Sequence, residues 1–264
     1  MEVRLQKVLS EWGIASRRQA EDMIRQNRVQ INGEVAHLGD KVDLQKDKIT
    51  VDDKPISCSQ RPVPIYLLLN KPAGVVSTCD DPQGRQTVLD LLPEELRTGT
   101  GIHPVGRLDA DSTGALILTN DGELTNGLTH PRHSIAKTYH VLVKGKPSET
   151  VLNMWRDGVV LDGKKTRPAG VRVIEGKENQ TSLEIVLKEG KKRQIRRVAE
   201  LLGYPVIKLH RTAIGPIQLS TQGKDNLKKG CYRHLTQSEI SFLHEQIEQI
   251  PINDSARLRR ATKL

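Results

Sequence analysis

Two short amphipathic segments open the chain. The first places apolar residues at i, i+3, i+4 and i+7, namely Leu5, Val8, Leu9 and Trp12. This spacing predicts a helix over residues 4–12 that ends at Gly13. Ser16 and Gln19 have the spacing of a capping box, which predicts the start of a second helix after Ser16.

Alternating apolar and polar positions follow the two helices. Val29 and Ile31 lead into the dipeptide Asn32-Gly33, which is the strongest short signal for a hairpin turn. Residues 49–51 predict another short strand. Residues 55–64 contain three prolines among polar side chains, which is typical of a linker. We therefore expect a first domain with its linker over residues 1–60.

A second domain is expected over residues 61–235, in which strand and helix patterns alternate without a regular period. The apolar runs predict strands at residues 66–69, 115–119, 137–143 and 183–187, and from residue 206. Helices are expected at residues 87–92, 148–156 and 191–202, the last of them basic. Thr236 and Glu239 form another capping box, so residues 236–264 are expected to be a final helix and a basic tail.

The loop between Gly106 and Gly114 carries the strongest candidate for chemistry. Its glycines allow sharp turns, and the apolar run at residues 115–118 predicts a buried strand that holds the loop still. An aspartate beside a guanidinium is ionised at neutral pH and needs no base to activate it. Asp109, next to Arg107, is therefore a candidate catalytic group.

Other interpretations of this loop remain open on spacing alone. Asp109 and Asp111 could simply form turns, as aspartates often do in loops. Residues 109–113 also fit the D-x-D-x-T pattern of aspartate-nucleophile phosphatases, but no hydrophobic strand precedes them. A calcium loop would need an acidic ligand at its twelfth position, where the chain has Asn120.

The charge balance favours a polyanionic partner. The chain has 41 Lys and Arg against 32 Asp and Glu, a formal charge of +9 over 264 residues, and a pI near 9.5. The basic residues cluster at Arg17-Arg18, at residues 188–197 and at residues 257–263. RNA or DNA is the obvious candidate partner. Because aromatic residues make up only 3% of the chain, few rings can stack on bases.

The three cysteines, Cys58, Cys79 and Cys231, are odd in number and far apart. They indicate neither a disulfide framework nor a zinc site, and they favour a cytoplasmic protein. The amphipathic N-terminal segment is unlike a signal peptide, and no apolar run approaches the roughly 18 residues that span a bilayer. We expect a soluble protein without a membrane partner.

Five motifs in order resemble the RsuA/RluB family of ribosomal RNA pseudouridine synthases, with an N-terminal unit similar to S4 RNA-binding domains. The resemblance covers residues 3 to about 235. It rests on the segments Arg4–Leu9 with Ser16-Arg17-Arg18, Asn70–Val75, Gly106–Asp109 with Thr119–Gly122, Lys137-Thr138-Tyr139, and Glu189–Arg197. It implies an α+β fold, in which a small S4-like α/β domain precedes a catalytic domain with a long, mainly antiparallel mixed sheet.

The resemblance also implies roles for individual residues. Asp109 is the catalytic aspartate and attacks either the uracil ring or the ribose C1′. Five residues are implied to bind the substrate. Arg107 enters the space that the target nucleotide leaves, Arg196 pairs with Asp109, and Tyr139 stacks on the uracil. Ile195 forms a pocket wall, and Lys71 lies at the pocket edge. The RNA-binding residues are Arg17, Arg18, Arg25, Lys191, Lys192 and Arg193.

The expected activity is the isomerisation of a specific uridine in rRNA by a monomeric enzyme. No metal or organic cofactor is expected, because the reaction involves no redox change and no net hydrolysis. The resemblance favours a site in large-subunit rRNA, with a small-subunit site as the second choice. The alternative function is a non-catalytic S4-type factor that binds the ribosome or assists its assembly.

Overall fold

A computed structural model describes residues 2–56, 61–130, 135–220 and 226–248. Its N-terminal unit combines two helices with short strands. In chain order these elements are β1 (Glu2–Arg4), α1 (Leu5–Glu11), α2 (Arg17–Arg25), β2 (Val29–Ile31), β3 (Glu34–Val35), β4 (Lys41–Asp43), β5 (Ile49–Val51) and β6 (Lys54–Ile56).

The local signals of the N-terminal unit are confirmed. Ser16 accepts a hydrogen bond from the Gln19 backbone, and the Gln19 side chain accepts one from the Ser16 backbone. Asn32 and Gly33 both have positive φ, 55° and 89°, as a type I′ turn requires. Apolar side chains from both helices and from β2, β4 and β5 form one buried cluster, so this unit has its own core.

The linker prediction is wrong at its start. Pro55 and Ile56 lie in β6, which pairs antiparallel with β5. Pro55 fits there because β6 is an edge strand, where a missing N–H is tolerated. Residues 57–60, which include Cys58, lie outside the described residues.

The second unit is built around one large sheet. Its elements are β7 (Tyr66–Lys71), a 3₁₀ turn (Leu89–Leu91), α3 (Glu94–Arg97), β8 (His103–Pro104), β9 (Thr113–Thr119), α4 (Gly122–Thr129), β10 (Lys137–Lys144), α5 (Glu149–Asp157), β11 (Val160–Leu161), β12 (Lys164–Lys165), β13 (Gly170–Lys177), β14 (Gln180–Leu187), α6 (Gln194–Leu201), β15 (Val206–Ile214), β16 (Ile217–Gln218), β17 (Tyr232–His234) and α7 (Gln237–Glu248).

Nine strands of the described chain form this sheet. Seven lie in the order β13-β14-β10-β15-β9-β7-β17, while β16 pairs with β15 and β8 pairs with β9. All neighbours are antiparallel except β9 and β15, which run parallel. The expected α+β fold with a mainly antiparallel mixed sheet is confirmed. The sequence pattern shows in β14, where every second residue is buried.

Separate apolar clusters hold the helices on the sheet. One contains Trp155 of α5 and Val198 of α6 together with side chains of the central strands. The other contains Leu124 of α4 and the fully buried Leu243 of α7. The last helix therefore belongs to the core of the second unit, which corrects the expected boundary at residue 236. The basic tail falls outside the described residues.

Several elements differ from the prediction, and α3 and β13 were not predicted. Helix α6 begins at Gln194 rather than at residue 191, and the helix expected over residues 87–92 is a short 3₁₀ turn. Helix α4 was not predicted, although Asp121 caps it by accepting hydrogen bonds from two backbone N–H groups. Within the described ranges, no helix combines the length and apolar character needed to cross a membrane.

Candidate active site

The loop that carries Asp109 connects β8 to β9 and is fixed through its backbone. Ser77 Oγ donates to the Leu108 carbonyl at 2.9 Å and accepts from the Leu108 N–H at 3.2 Å. The Ala110 carbonyl accepts from the Gly74 N–H at 2.8 Å, and the Ser112 N–H donates to the Asp109 carbonyl at 3.0 Å. Bonds on both sides of Asp109 therefore hold its backbone in place.

Gly114, at the end of this loop, allows β9 to approach β15 closely. Its φ is +110°, and a Cβ added there would lie 2.2 Å from the carbonyl oxygen of Arg211. A side chain is excluded by both the backbone conformation and the space. The expected glycine requirement therefore has a specific cause, which is the contact between the Asp109 loop and β15.

Arg193 is the basic partner of Asp109. Its Nη1 atom lies 3.3 Å from Asp109 Oδ2, and the Asp109 side chain is 40% exposed. Arg193 also contacts Asp111 at 3.3 Å. Its backbone is left-handed, with φ at 51°, and it directly precedes α6. The turn before the helix therefore brings this guanidinium to both carboxylates.

The predicted pair between Arg196 and Asp109 is wrong. The Arg196 guanidinium lies 3.3 Å from the carboxylate of Asp111 and contacts the Asp111 carbonyl at 3.3 Å. Burial disfavours the charged form of Asp111, but Arg193 and Arg196 outweigh it and lower the pKa of this carboxyl. The helix position of Arg196 was predicted correctly, but its distance to each aspartate depends on a turn that sequence periodicity does not describe.

A cavity of about 570 Å³ opens beside Asp109, between the loop, the start of α6 and strands β10, β14 and β15. Its size lies in the range of about 300–1,000 Å³ that is usual for ligand sites. Of the predicted substrate-binding residues, Arg107, Tyr139, Ile195 and Arg196 line it. Tyr139 and Ile195 are largely buried and supply apolar wall, whereas Arg107 lies exposed at the mouth.

Lys71 does not line this cavity, which corrects its predicted position. Its side chain is 0% exposed, and its Nζ donates to the Pro72 carbonyl at 2.9 Å and weakly to the Ala110 carbonyl at 3.4 Å. Burial lowers the pKa of Lys71 to about 8, although Asp111 and Asp109 favour its charged form. Lys71 therefore lies beneath the loop as a support.

The predicted RNA-binding residues fall in two places. Lys191, Lys192 and Arg193 lie in the turn before α6 and line the cavity. The N-terminal group consists of residues on α2: Arg17 and Arg18 are exposed in its first turn, and Arg25 pairs with Asp22 at 2.6 Å. These two groups lie on different units of the chain.

Sequence reasoning missed several residues of the site. Ser77 fixes the Asp109 loop, and Arg211 and Lys137 line the cavity. Arg193 was predicted as an RNA-binding residue, but not as the partner of Asp109. Lys137 and Tyr139 are two residues apart on β10, so their side chains share a face of the sheet. That alternation was a usable signal for Lys137. No local pattern indicates that Arg211 lies opposite Tyr139 across the strand pair.

Comparisons with known proteins identify the family to which this fold belongs. The sequence profile of the family described as RNA pseudouridylate synthase matches residues 65–201, and that of the S4 domain matches residues 3–49. The chain therefore belongs to the RNA pseudouridylate synthase family and is a pseudouridine synthase with an N-terminal S4 domain. The resemblance drawn from the sequence motifs is confirmed.

Individual relatives match over nearly the whole chain. A protein of Aquifex aeolicus described as an uncharacterized RNA pseudouridine synthase is 40% identical over 252 residues, which are 94% of this chain and 96% of the relative. Ribosomal large subunit pseudouridine synthase B of Bacillus subtilis is 40% identical over 246 residues, 91% of this chain and 95% of the relative. A crystal structure described as a pseudouridylate synthase aligns with TM-score 0.64 at 33% identity, covering 91% of this chain and 99% of the other.

Proposed function

We propose that this protein isomerises a specific uridine of large-subunit ribosomal RNA to pseudouridine, with Asp109 as the nucleophile. The observation that carries the proposal is the placement of Asp109. It is partly exposed on a loop fixed from both sides, and it faces a cavity of nucleotide size. A carboxylate held in this way reaches a bound nucleotide without an ordering cost at the moment of reaction.

Apolar and charged residues have different proposed roles in binding the target nucleotide. The largely buried Tyr139 and Ile195 form the walls against which a uracil ring packs, and Arg107 at the mouth fills the space left by the flipped nucleotide. Unstacking a base costs about a few kcal/mol, which such contacts offset. Arg196 holds the Asp111 side of the loop and so supports Asp109 indirectly.

We assign the selection of RNA to basic residues on α2 and beside the cavity. We infer that Arg17, Arg18 and Arg25 contact phosphates, because they lie on α2 and the first two are exposed. Lys191, Lys192 and Arg193 beside the cavity have the same proposed role. We place the division between the S4 domain and the catalytic domain near residue 60. The protein acts as a monomer in the cytoplasm, which size-exclusion chromatography with light scattering and cell fractionation would check.

The choice of the large subunit is supported by the name of the Bacillus subtilis relative. Mapping pseudouridines by carbodiimide adduct and primer extension, on rRNA from a strain lacking this protein, tests it. We expect one or very few pseudouridines of large-subunit rRNA to disappear, with small-subunit rRNA unchanged. Loss confined to the small subunit would overturn the assignment.

Enzymatic turnover is tested separately. The purified protein should release tritium from rRNA that carries 5-tritiated uridine, because the C5 proton leaves during isomerisation. A protein that binds this rRNA tightly but releases no tritium would instead act as a non-catalytic ribosome-binding or assembly factor.

A further inference from the structure

Arg211 is a buried cation that lines the cavity and has one hydrogen-bond donor without a partner among the described residues. The residue is 4% exposed and lines the cavity beside Tyr139. Its Nε donates to the Ala115 carbonyl at 2.6 Å, but its Nη2 atom is buried and has no hydrogen-bond partner among the described residues. Leaving a charged donor unpaired in this way is costly, because the guanidinium has lost its hydrogen bonds to water and gained none in their place.

Lys137 adds a second positive charge to the same cavity. Its Nζ donates to the Ile135 carbonyl at 3.1 Å. Burial, and then the charge of Arg211, lower the pKa of Lys137 to about 8, so the two cations lie close enough to interact. Within the described part of the chain, neither residue has an acidic partner within 4.0 Å.

The acidic residues that line the cavity are already engaged. Asp109 pairs with Arg193, and Glu189 accepts hydrogen bonds from the Gln194 side chain and the Arg167 backbone. Arg211 and Lys137 are therefore cations of the cavity lining that have no acidic partner within the described protein. Buried charges normally have a partner, so a bound ligand with acceptor oxygens and negative charge would complete this site.

The sheet register shows which part of a nucleotide meets these cations. Tyr139 on β10 lies directly opposite Arg211 on β15, so both side chains occupy one face of the sheet. A uracil ring that packs on Tyr139 thus has its edge beside Arg211. That edge carries two carbonyl oxygens, O2 and O4, whereas cytosine has an amino donor at position 4.

We propose that Arg211 and Lys137 bind the carbonyl oxygens of the target uracil and stabilise the negative charge that the ring carries during isomerisation. This inference rests on the proposed function. It holds for either route of the reaction. When the N1–C1′ bond breaks, its electron pair stays on the ring and is shared by O2 and O4. When Asp109 attacks C6 instead, the electron pair of the C5–C6 double bond moves towards O4.

The charge is transient in both routes. The bond to Asp109 then breaks: on the first route C5 displaces the carboxylate from C1′, and on the second the electron pair at N1 expels it from C6 after C5 has bonded to C1′. The C5 proton leaves, N1 gains a proton, and the product ring is neutral. Cations at the carbonyl oxygens therefore stabilise the intermediate more than substrate or product, which is the condition for faster turnover. They also disfavour cytosine, because its amino group would place a donor against a donor.

The test combines substitutions in the protein with substitutions in the base. Once mapping has located the target, an rRNA fragment is made with uridine, 2-thiouridine or 4-thiouridine at that position. Sulfur is a weaker acceptor than oxygen, so each thio-substitution weakens one contact. Single-turnover rates at saturating RNA and RNA affinities are measured for the wild type and for Lys137→Gln, Lys137→Arg and Arg211→Gln. Lys208→Gln, which removes an exposed charge from β15 outside the cavity, is the matched control.

We expect Lys137→Gln and Arg211→Gln to lower the rate about 100-fold, the size of effect seen when one donor to a developing charge is removed. RNA affinity should stay within about threefold, and Lys137→Arg should recover much of the rate. At least one thio-substitution should slow the wild type more than it slows the Gln variants, because the contact is already lost there. Lys208→Gln should behave as wild type.

A merely structural role would give a different result. The inference would be overturned if each thio-substitution slowed each Gln variant by the same factor as it slows the wild type. It would also be overturned if Lys137→Gln kept its full rate. Lys137 is only partly buried, so Lys137→Gln decides the question even if Arg211→Gln does not fold. A wild type that converts no uridine in any rRNA would instead overturn the proposed function.

Discussion

Arg193 and Asp109 form an ion pair across the mouth of the cavity, with 3.3 Å between Nη1 and Oδ2. The pair joins the β8–β9 loop to the turn before α6, which are 84 residues apart in sequence. Arg193 remains bound to Asp111 if its contact with Asp109 is released. The proposed nucleophile can therefore exchange this partner for substrate without leaving Arg193 unpaired.

Asp109→Asn should abolish isomerisation while RNA affinity changes by no more than a few-fold. The substitution removes the proposed nucleophile but keeps the shape of the side chain, and the basic residues around the cavity are untouched. Tritium release and filter binding on the same RNA measure the two properties. A purified variant that still converts uridine at a comparable rate would show that Asp109 is not the nucleophile.

Gly114→Ala should destabilise the fold strongly. The new Cβ would lie 2.2 Å from the Arg211 carbonyl oxygen, and the φ of +110° disfavours any side chain. We expect a loss of more than about 3 kcal/mol in the free energy of unfolding, as for other severe backbone conflicts. Urea unfolding followed by circular dichroism gives the value.

Gly122→Ala is the matched control for Gly114→Ala. Gly122 begins α4, and a Cβ there would meet no heavy atom within 4 Å. Alanine at this position should leave stability unchanged or raise it by about 0.4–1 kcal/mol. Equal effects of the two alanines would contradict the close approach of β9 to β15.

Lys71 should make the free energy of unfolding of the wild type depend on pH in the alkaline range. Its pKa is lowered from 10.5 to about 8 in the folded state, mainly by burial. Between these two values the unfolded chain binds more protons than the folded one, so stability rises with pH in this window. Relative to Lys71→Met, the wild type should gain about 1.6 kcal/mol between pH 8 and pH 9.5, because the slope starts at half of its full value of about 1.4 kcal/mol per pH unit.

Urea unfolding of both proteins at pH 7, 8, 9 and 9.5 measures this difference. Other titrating groups, Lys137 among them, contribute equally to wild type and variant, so the comparison isolates Lys71. A difference that stays constant over this range would mean that Lys71 titrates at its ordinary value and is not shielded beneath the loop.

The double variant Arg17→Gln, Arg18→Gln should weaken RNA binding and reduce its dependence on salt. If each arginine contacts one phosphate, the slope of log K against log salt should become shallower by about 0.7–0.9 per residue. Lys177→Gln is the control, because Lys177 lies at the end of the edge strand β13. An unchanged slope in the double variant would remove α2 from the RNA interface.

Local signals predicted local structure well. The capping boxes at Ser16 and Thr236 and the Asn32-Gly33 turn all formed, because each depends on residues at most three positions apart. The apolar runs likewise predicted strands β7, β9 and β10, although the observed strands are longer. Helix α4 was missed because its short sequence is only weakly amphipathic.

The distances between side chains of the site could not be predicted from such local signals. Whether Asp109 meets Arg193 or Arg196 depends on where α6 starts and on the left-handed backbone of Arg193. The position of Arg211 depends on the register of β10 against β15, which includes a shift next to Tyr139. The family resemblance led us to expect Lys71 at the pocket edge, yet its ammonium group is held under the loop by backbone carbonyls.

The contact at Gly114 fixes the position of the Asp109 loop relative to β15. Gly114 lies directly against the backbone of Arg211, so only main-chain atoms lie between the Asp109 loop and β15 at this point. Main-chain contacts do not change with side-chain rotamer or with ionic strength. The distance between the two backbones is therefore set by main-chain packing at Gly114 and does not depend on the ion pairs of Arg193 with Asp109 and Asp111.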